Sequence, residues 1–157
     1  MKQEVVILIA EDDDAHVALI QRNLKRAGIT NRQILFDNGE QVLDFLFQRS
    51  RPGREPGTPY LLLLDIRMPR VDGIEVLTQV KQDPELRKLP VIMITTTDDP
   101  LEVERCHQLG CSSYVTKPVD YERFMEAIRR LGLFLLIVEI PRLDGEDKTD
   151  PNAGRNP

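Results

Sequence analysis

This sequence lacks the features that mark secreted and membrane-spanning proteins. Its two cysteines, Cys106 and Cys111, are too few for a disulfide framework, so we expect reduced packing residues. The apolar stretch near the N-terminus is too short for a signal peptide and has no small-residue cleavage site. The apolar run at 131–140 is too short to span a bilayer and carries Glu139. We therefore expect a cytoplasmic protein with no membrane contact.

Basic residues are also too few for a protein that binds duplex nucleic acid. The 157 residues include 21 Lys and Arg against 26 Asp and Glu, which gives a net charge of −5. A duplex-binding domain needs a basic face, so this charge argues against one. The length and charge instead predict one globular domain that takes up cations or meets basic partners.

Short apolar runs alternate with amphipathic stretches along most of the chain. The runs predict strands at 5–10, 33–36, 61–64, 91–94 and 113–115. Each run is followed by apolar residues at helical spacing. The expected helix caps are Asp13 or Asp14, Asp37 or Asn38, Asp72, Asp99 and Asp120. Strict alternation of five strands and five helices predicts a parallel sheet, with crossover helices on both faces. The polar segment 141–157 predicts a disordered tail.

Polar residues follow four of the predicted strands. Glu11 and Asp12 follow the first, Asp65 the third, Thr95 the fourth and Lys117 the fifth. In a parallel sheet these ends lie along one edge, where ligands bind. Clustered carboxylates repel one another unless a hard cation such as Mg²⁺ joins them. A carboxylate can also act as a nucleophile and form an acyl phosphate, which makes Asp65 the candidate nucleophile.

Each of these residues taken singly also has an ordinary structural role. Acids after a strand often cap helices, a threonine at a strand end is usually a turn residue, and most lysines are solvated. Jointly, the four strand ends supply residues that suit one chemistry, with Lys117 as a second positive charge beside the cation. The combination therefore favours a phosphoryl-binding site over four unrelated structural roles.

Four motifs resemble the receiver domain of two-component response regulators. ILIAEDD, LLLLDIRMPRVDG, PVIMITTTDD and SYVTKP occur in the order and spacing of that family, over residues 5–131. The resemblance implies a doubly wound, flavodoxin-like α/β fold with five parallel strands in the order 2-1-3-4-5 and five helices. It also implies a receiver domain at 1–131, followed by an apolar C-terminal extension at 132–140.

The resemblance implies a role for each matching position. Asp65 matches the aspartate that accepts a phosphoryl group from a histidine kinase, and Lys117 matches the lysine that pairs with the phosphoryl group. Thr95 matches the switch hydroxyl, and Tyr114 matches the aromatic residue that moves when the switch changes state. The Mg²⁺ ligands that the resemblance implies are Glu11, Asp12, Asp65 and the backbone carbonyl of Arg67.

A narrower resemblance is to stand-alone receivers that work with phytochrome-like sensor kinases. The proline-rich loop at 50–59, the stretch KQDPELRKLPVIMITTT and the apolar extension carry it. We therefore expect a signalling switch rather than a turnover enzyme, with no DNA-binding module. The apolar run at 133–140 predicts a homodimer through the last helix and the extension. The alternative is that this run folds back on its own domain.

Two alternative functions require residues that differ from those of a phosphorylated receiver. An aspartate-nucleophile phosphatase of the haloacid dehalogenase type needs a second Asp two residues after the nucleophile, where this sequence has Arg67. A pseudo-receiver that acts as a dimeric scaffold without phosphorylation usually lacks an acid or the lysine, and neither is missing here. The scaffold stays the alternative to the phosphorylated switch.

Overall fold

The computed structural model describes residues 4–96, 99–117, 121–130 and 143–144. The strands are β1 (Val6–Ala10), β2 (Gln33–Phe36), β3 (Tyr60–Leu64), β4 (Val91–Thr95) and β5 (Ser113–Thr116). The helices are α1 (Asp14–Arg26), α2 (Gly39–Leu46), α3 (Gly73–Gln82), α4 (Pro100–Leu109) and α5 (Tyr121–Arg130). A short 3-10 helix, Leu86–Lys88, lies between α3 and β4.

The five strands form one parallel sheet in the order β2-β1-β3-β4-β5. The predicted fold class and strand order are therefore confirmed. Because β1 pairs with β2 on one side and β3 on the other, the strand order reverses at β1. The crevice beyond the carboxyl ends of β1 and β3 is where such sheets bind ligands.

Short polar side chains begin the helices at the positions that the sequence predicts. The N-caps of α1 to α4 are Asp13, Asn38, Asp72 and Asp99, and each accepts a hydrogen bond from a backbone N–H in the first turn. Gly110 ends α4 with a φ of 106°, a left-handed conformation that glycine adopts without steric cost. The expected cap of α5, Asp120, lies outside the described residues.

Each face of the sheet carries its own apolar core. α2, α3 and α4 cover one face, and α1 and α5 cover the other. In β3, Leu62 and Leu64 belong to the first core, while Leu61 and Leu63 belong to the second. Because side chains alternate along a strand, four consecutive leucines bury both faces of the central strand. Each such burial contributes about 1.5–3 kcal/mol, so the strand that precedes Asp65 is held rigidly.

Two residues from the expected disordered tail pack against the domain. Leu143 is fully buried in the core on the α2–α4 face, and its carbonyl accepts a hydrogen bond from Gly57 at 2.7 Å. Asp144 lies 2.5 Å from Nη1 of Arg54, whose side chain is also buried. The apolar extension at 132–140 and the rest of the tail lie outside the described residues, so their roles stay predictions.

Candidate functional site

Three carboxylates meet in the crevice beyond β1 and β3. The backbone N–H of Asp65 donates to the carbonyl of Ala10 at 3.0 Å, which continues the β1–β3 pairing past the strand ends. One carboxylate oxygen from each of Glu11, Asp12 and Asp65 lies within 4.8 Å of the other two. Glu11 and Asp65 are buried, whereas Asp12 is exposed at the mouth. The structure thus brings together the acidic residues that the sequence singles out.

The side chain of Lys117 reaches into the same crevice from the end of β5. Its backbone N–H donates to the carbonyl of Thr95 at 2.8 Å, which fixes the chain next to β4. Its ammonium hydrogen-bonds to Glu11 and lies 3.3 Å from Oδ2 of Asp65. Only 4% of the lysine side chain is exposed. A buried ammonium is tolerated here because two buried carboxylates surround it.

The charges in the crevice do not balance. Burial raises the pKa of the Glu11 carboxyl, and the charge of Asp65 adds to this, while hydrogen bonds from Lys117 and from the backbone of Asp13 oppose it. When ionised, the three carboxylates carry three negative charges against the single positive charge of Lys117. An all-oxygen set of donors with excess negative charge fits a hard divalent cation such as Mg²⁺.

The hydroxyl of Thr95 is placed at the carboxyl end of β4. Thr95 is the last residue of β4 and is fully buried, and its Oγ1 has no hydrogen-bond partner among the described residues. Leaving a buried hydroxyl unpaired costs about 1–3 kcal/mol. An unpaired donor of this kind suits an oxygen-rich ligand that arrives from outside.

The switch aromatic Tyr114 is half-buried in β5. The strand register pairs Met93 with Tyr114 and Thr95 with Thr116. Because alternate residues of a strand share a face, Tyr114 lies on the same face of the sheet as Thr95. The ring centroid of Tyr114 is 6.5 Å from that of His107 in α4. The structure therefore places the two expected switch residues on neighbouring strands.

Arg67 lies in the loop that joins β3 to α3, and its side chain is exposed. The role of its backbone carbonyl as a metal ligand stays a prediction.

The loop between β3 and α3 is held by a close approach to the first residue of α3. A Cβ added to Gly73 would lie 2.1 Å from the carbonyl oxygen of Asp65, and the Gly73 N–H donates to Ile66 O at 2.7 Å.

Sequence reasoning missed two residues of this site. One is Gly73, the first residue of α3 after the Asp72 cap. Glycine is a poor helix former, so its presence there could have indicated a close backbone contact. The other is His16, whose Nδ1 lies 2.9 Å from the ammonium nitrogen of Lys117. Its sequence position in the first turn of α1 gave no such signal, because the contact joins residues 101 positions apart.

Among the helices of the described ranges, none has the length and apolar character needed to cross a bilayer.

Comparisons with known proteins give a consistent set of relatives. A curated relative is response regulator Rcp1 of Synechocystis sp., 33% identical over 131 residues that cover 83% of this chain and 88% of Rcp1. The structure of its Mn²⁺-bound form has a TM-score of 0.72 at 31% identity, covering 87% of this chain and 99% of that one.

Two further solved structures are similar. A response regulator receiver domain from Rhodospirillum rubrum is 44% identical with a TM-score of 0.75, covering 90% of this chain and all of that one. The bacteriophytochrome response regulator RtBRR is 37% identical with a TM-score of 0.77, covering 89% of this chain and 85% of that one. The family model described as response regulator receiver domain matches residues 7–129. This chain therefore belongs to the family of response regulator receiver domains.

Proposed function

We propose that this protein is a single-domain response regulator in which Asp65 accepts a phosphoryl group from a sensor histidine kinase, with Mg²⁺ as cofactor. The observation that carries the proposal is the buried Lys117 ammonium, which lies between Glu11 and Asp65. A buried cation beside a nucleophile and an acidic pair is the arrangement that phosphoryl transfer to a carboxylate needs.

In the transfer step, a carboxylate oxygen of Asp65 attacks the phosphorus of a phosphohistidine. The new O–P bond forms as the P–N bond breaks, and the leaving imidazole keeps the bonding electron pair and takes up a proton. Lys117 pairs with the negative charge that this brings into the crevice. Because each side chain is already in place before the donor arrives, the site contributes mainly by positioning.

The metal proposal rests on the donor set of this crevice. Asp12 and Asp65 would ligate Mg²⁺ directly and Glu11 through water, with the carbonyl of Arg67 as the third protein ligand. When bound, the cation offsets negative charge on the phosphoryl group. Rcp1 supports the proposal, because one of its solved structures is described as Mn²⁺-bound.

The switch proposal starts from the unpaired hydroxyl of Thr95. A phosphoryl oxygen on Asp65 would give Oγ1 of Thr95 a hydrogen-bond partner. A shift of Thr95 toward that oxygen would change the packing of Tyr114, which lies on the same face of the sheet. Phosphorylation then biases an existing equilibrium between two states of the surface formed by α4, β5 and α5. The output runs through protein contacts at that surface rather than through turnover of a substrate.

Two relatives support a phytochrome-like kinase as the partner. RtBRR and AtBRR are both described as bacteriophytochrome response regulators, and they are 37% and 33% identical to this chain. Which sensor kinase serves this chain is part of the proposal. Purified candidate kinases, autophosphorylated and mixed with the protein, test it through the rate of phosphoryl transfer to wild type against Asp65→Asn.

The homodimer through the last helix and the apolar extension also belongs to the proposal. Deleting residues 132–157 is a poor test because it removes Leu143, which is buried in the core. A better test keeps the full chain and compares wild type with Phe134→Glu and the polar-tail control Thr149→Glu by light scattering. The dimer predicts that only Phe134→Glu becomes monomeric; a monomeric wild type would contradict it.

The central experiment detects phosphorylation directly. The protein is incubated with acetyl phosphate and Mg²⁺, and its intact mass is measured with and without EDTA. We expect one phosphoryl adduct on wild type and on Asp14→Asn, and none on Asp65→Asn or with EDTA. Absence of an Mg²⁺-dependent adduct on the wild type would favour the dimeric scaffold that is never phosphorylated.

A further inference from the structure

The Lys117 ammonium has a third partner that the proposed phosphoryl site does not use. In addition to its contacts with Glu11 and Asp65, Nζ lies 2.9 Å from Nδ1 of His16. A lysine ammonium has three N–H donors and no acceptor. Lys117 can therefore donate one hydrogen bond to each of the three neighbouring groups, and Nδ1 of His16 must accept one.

The imidazole of His16 is held at the mouth of the crevice by the start of α1. The backbone N–H of His16 donates to Oδ1 of the N-cap Asp13 at 3.3 Å. Nδ1 is 3.7 Å from Oε1 of Glu11 and 3.8 Å from Oδ2 of Asp13, and both distances are too long for a hydrogen bond. Lys117 is thus the close partner of Nδ1, so the ring proton must sit on Nε2.

His16 differs from the other two acceptors in what phosphorylation does to it. In the proposed function, the Asp65 carboxylate becomes an acyl phosphate whose phosphoryl oxygens pair with Lys117, and Glu11 would help to hold the cation. Both carboxylate contacts of Lys117 therefore change when Asp65 is phosphorylated. His16 would neither carry the phosphoryl group nor hold the cation, so its contact with the ammonium does not depend on the state of the site.

The geometry points to His16 as a positioning residue that holds the Lys117 ammonium in the crevice while the phosphoryl group is transferred to Asp65. This role rests on the proposed function and extends it. His16 acts through Lys117 and does not contact the phosphoryl group itself. Without His16, the long side chain of Lys117 samples more rotamers, and some of them place the ammonium where it cannot pair with the phosphoryl group.

Two variants separate this role from simple packing. In His16→Asn the amide oxygen occupies nearly the position of Nδ1 and keeps an acceptor for Lys117, whereas His16→Leu keeps bulk without an acceptor. The initial rate of Mg²⁺-dependent phosphorylation by acetyl phosphate is measured for each, together with the urea midpoint. We expect His16→Leu to be slower by about tenfold, the effect of losing one hydrogen bond to a charged group, with His16→Asn within about threefold of wild type.

Two outcomes of the rate measurement overturn the role. One is a His16→Leu rate equal to that of wild type, and the other is a His16→Asn rate as low as that of His16→Leu. Absence of any adduct on the wild type overturns the proposed function and the role with it. A wild-type adduct that forms equally fast in His16→Leu overturns the role alone.

A spectroscopic test needs neither Mg²⁺ nor phosphodonor. Nitrogen-15 NMR of the histidine rings distinguishes a proton on Nδ1 from one on Nε2. In the metal-free wild type, we expect His16 to carry its proton on Nε2, and in Lys117→Met we expect that preference to be lost. A proton on Nδ1 in the wild type, or an unchanged spectrum in Lys117→Met, would contradict the contact on which the role depends.

Discussion

Nζ of Lys117 lies 3.3 Å from Oδ2 of Asp65, although 52 positions separate the two residues in the sequence. Their side chains are only 4% and 6% exposed. The contact joins the ends of β3 and β5, which are not neighbours in the sheet, across the end of β4. A buried ion pair at the carboxyl end of the sheet indicates a functional site, because burying two charges is costly.

Removing the ammonium leaves two buried carboxylates without their cation. We expect Lys117→Met to lose about 3 kcal/mol of unfolding free energy in Mg²⁺-free buffer, measured by urea denaturation. Saturating Mg²⁺ restores more stability to this variant than to wild type, because it neutralises the same carboxylates. Lys88→Met is the control: Lys88 forms an exposed ion pair with Glu85, worth about 0–1 kcal/mol. Equal losses in the two variants would contradict the buried pair.

A substitution of Asp12 tests Mg²⁺ binding separately from folding. The Asp12 side chain is exposed but contributes to the carboxylate cluster, whereas Asp14, which is also exposed, does not. Mg²⁺ at 100 times its dissociation constant stabilises a single-site protein by about 2.7 kcal/mol. We expect Asp12→Asn to lose most of this gain in thermal denaturation while Asp14→Asn keeps it. Loss of the gain in both variants, or in neither, would argue against Asp12 as a ligand.

We expect Thr95→Val to raise the stability of the protein and to weaken its signalling. The buried hydroxyl of Thr95 is unpaired among the described residues, and valine has nearly the same shape. Thr95→Val should therefore raise the unfolding free energy by about 1 kcal/mol, because the unsatisfied hydroxyl is removed. The same change should weaken the response of the α4–β5–α5 surface to phosphorylation, followed by NMR shifts of Tyr114. A destabilised Thr95→Val protein would show that the hydroxyl has a partner after all.

Gly73 should tolerate no side chain. A Cβ at this position would lie 2.1 Å from Asp65 O and 2.7 Å from Cα of Ile66, and both are backbone atoms that cannot turn away. We expect Gly73→Ala to cost more than about 3 kcal/mol in urea denaturation and to slow phosphorylation. Gly28→Ala is the matched control, because Gly28 has a φ of 78° but open space around it. It should cost about 1 kcal/mol and leave phosphorylation unchanged.

The two cysteines should be unreactive in the folded protein. Burial raises the pKa of Cys106 to about 11 and that of Cys111 to about 11. At pH 8 a thiol with this pKa is only about 0.1% thiolate, so reaction with a disulfide reagent should be slow until urea unfolds the chain. Because both pKa values are raised on folding, the associated stability is present below about pH 9 and is lost as pH rises through about 11. Fast labelling at pH 8 without urea would contradict this.

Much of the fold could be predicted from the sequence. Each predicted strand agrees with the structure to within one residue at either end, because the apolar runs are bounded by turn and cap residues. The meeting of Glu11, Asp12 and Asp65 followed from one rule, that parallel strands end at the same edge.

Other features depend on tertiary contacts that local pattern does not carry. The His16–Lys117 contact depends on where two side chains point across the crevice mouth. Leu143 accepts a hydrogen bond from Gly57, and the adjacent Asp144 pairs with Arg54. Both partners lie in a loop, and its amino-acid composition does not specify the path of its backbone. A polar, proline-rich composition predicts a free tail, and it carries no information about a single leucine that finds a place in the core.

A crystal structure of the protein with Mg²⁺ and beryllium fluoride tests the central claim most directly. We expect a fluoroberyllate on an oxygen of Asp65, with Mg²⁺ bound to Asp12 and Asp65. We also expect both the Lys117 ammonium and the Thr95 hydroxyl to donate to its fluorines. An empty crevice under conditions that saturate the site, or a fluoroberyllate that Lys117 does not contact, would contradict that claim.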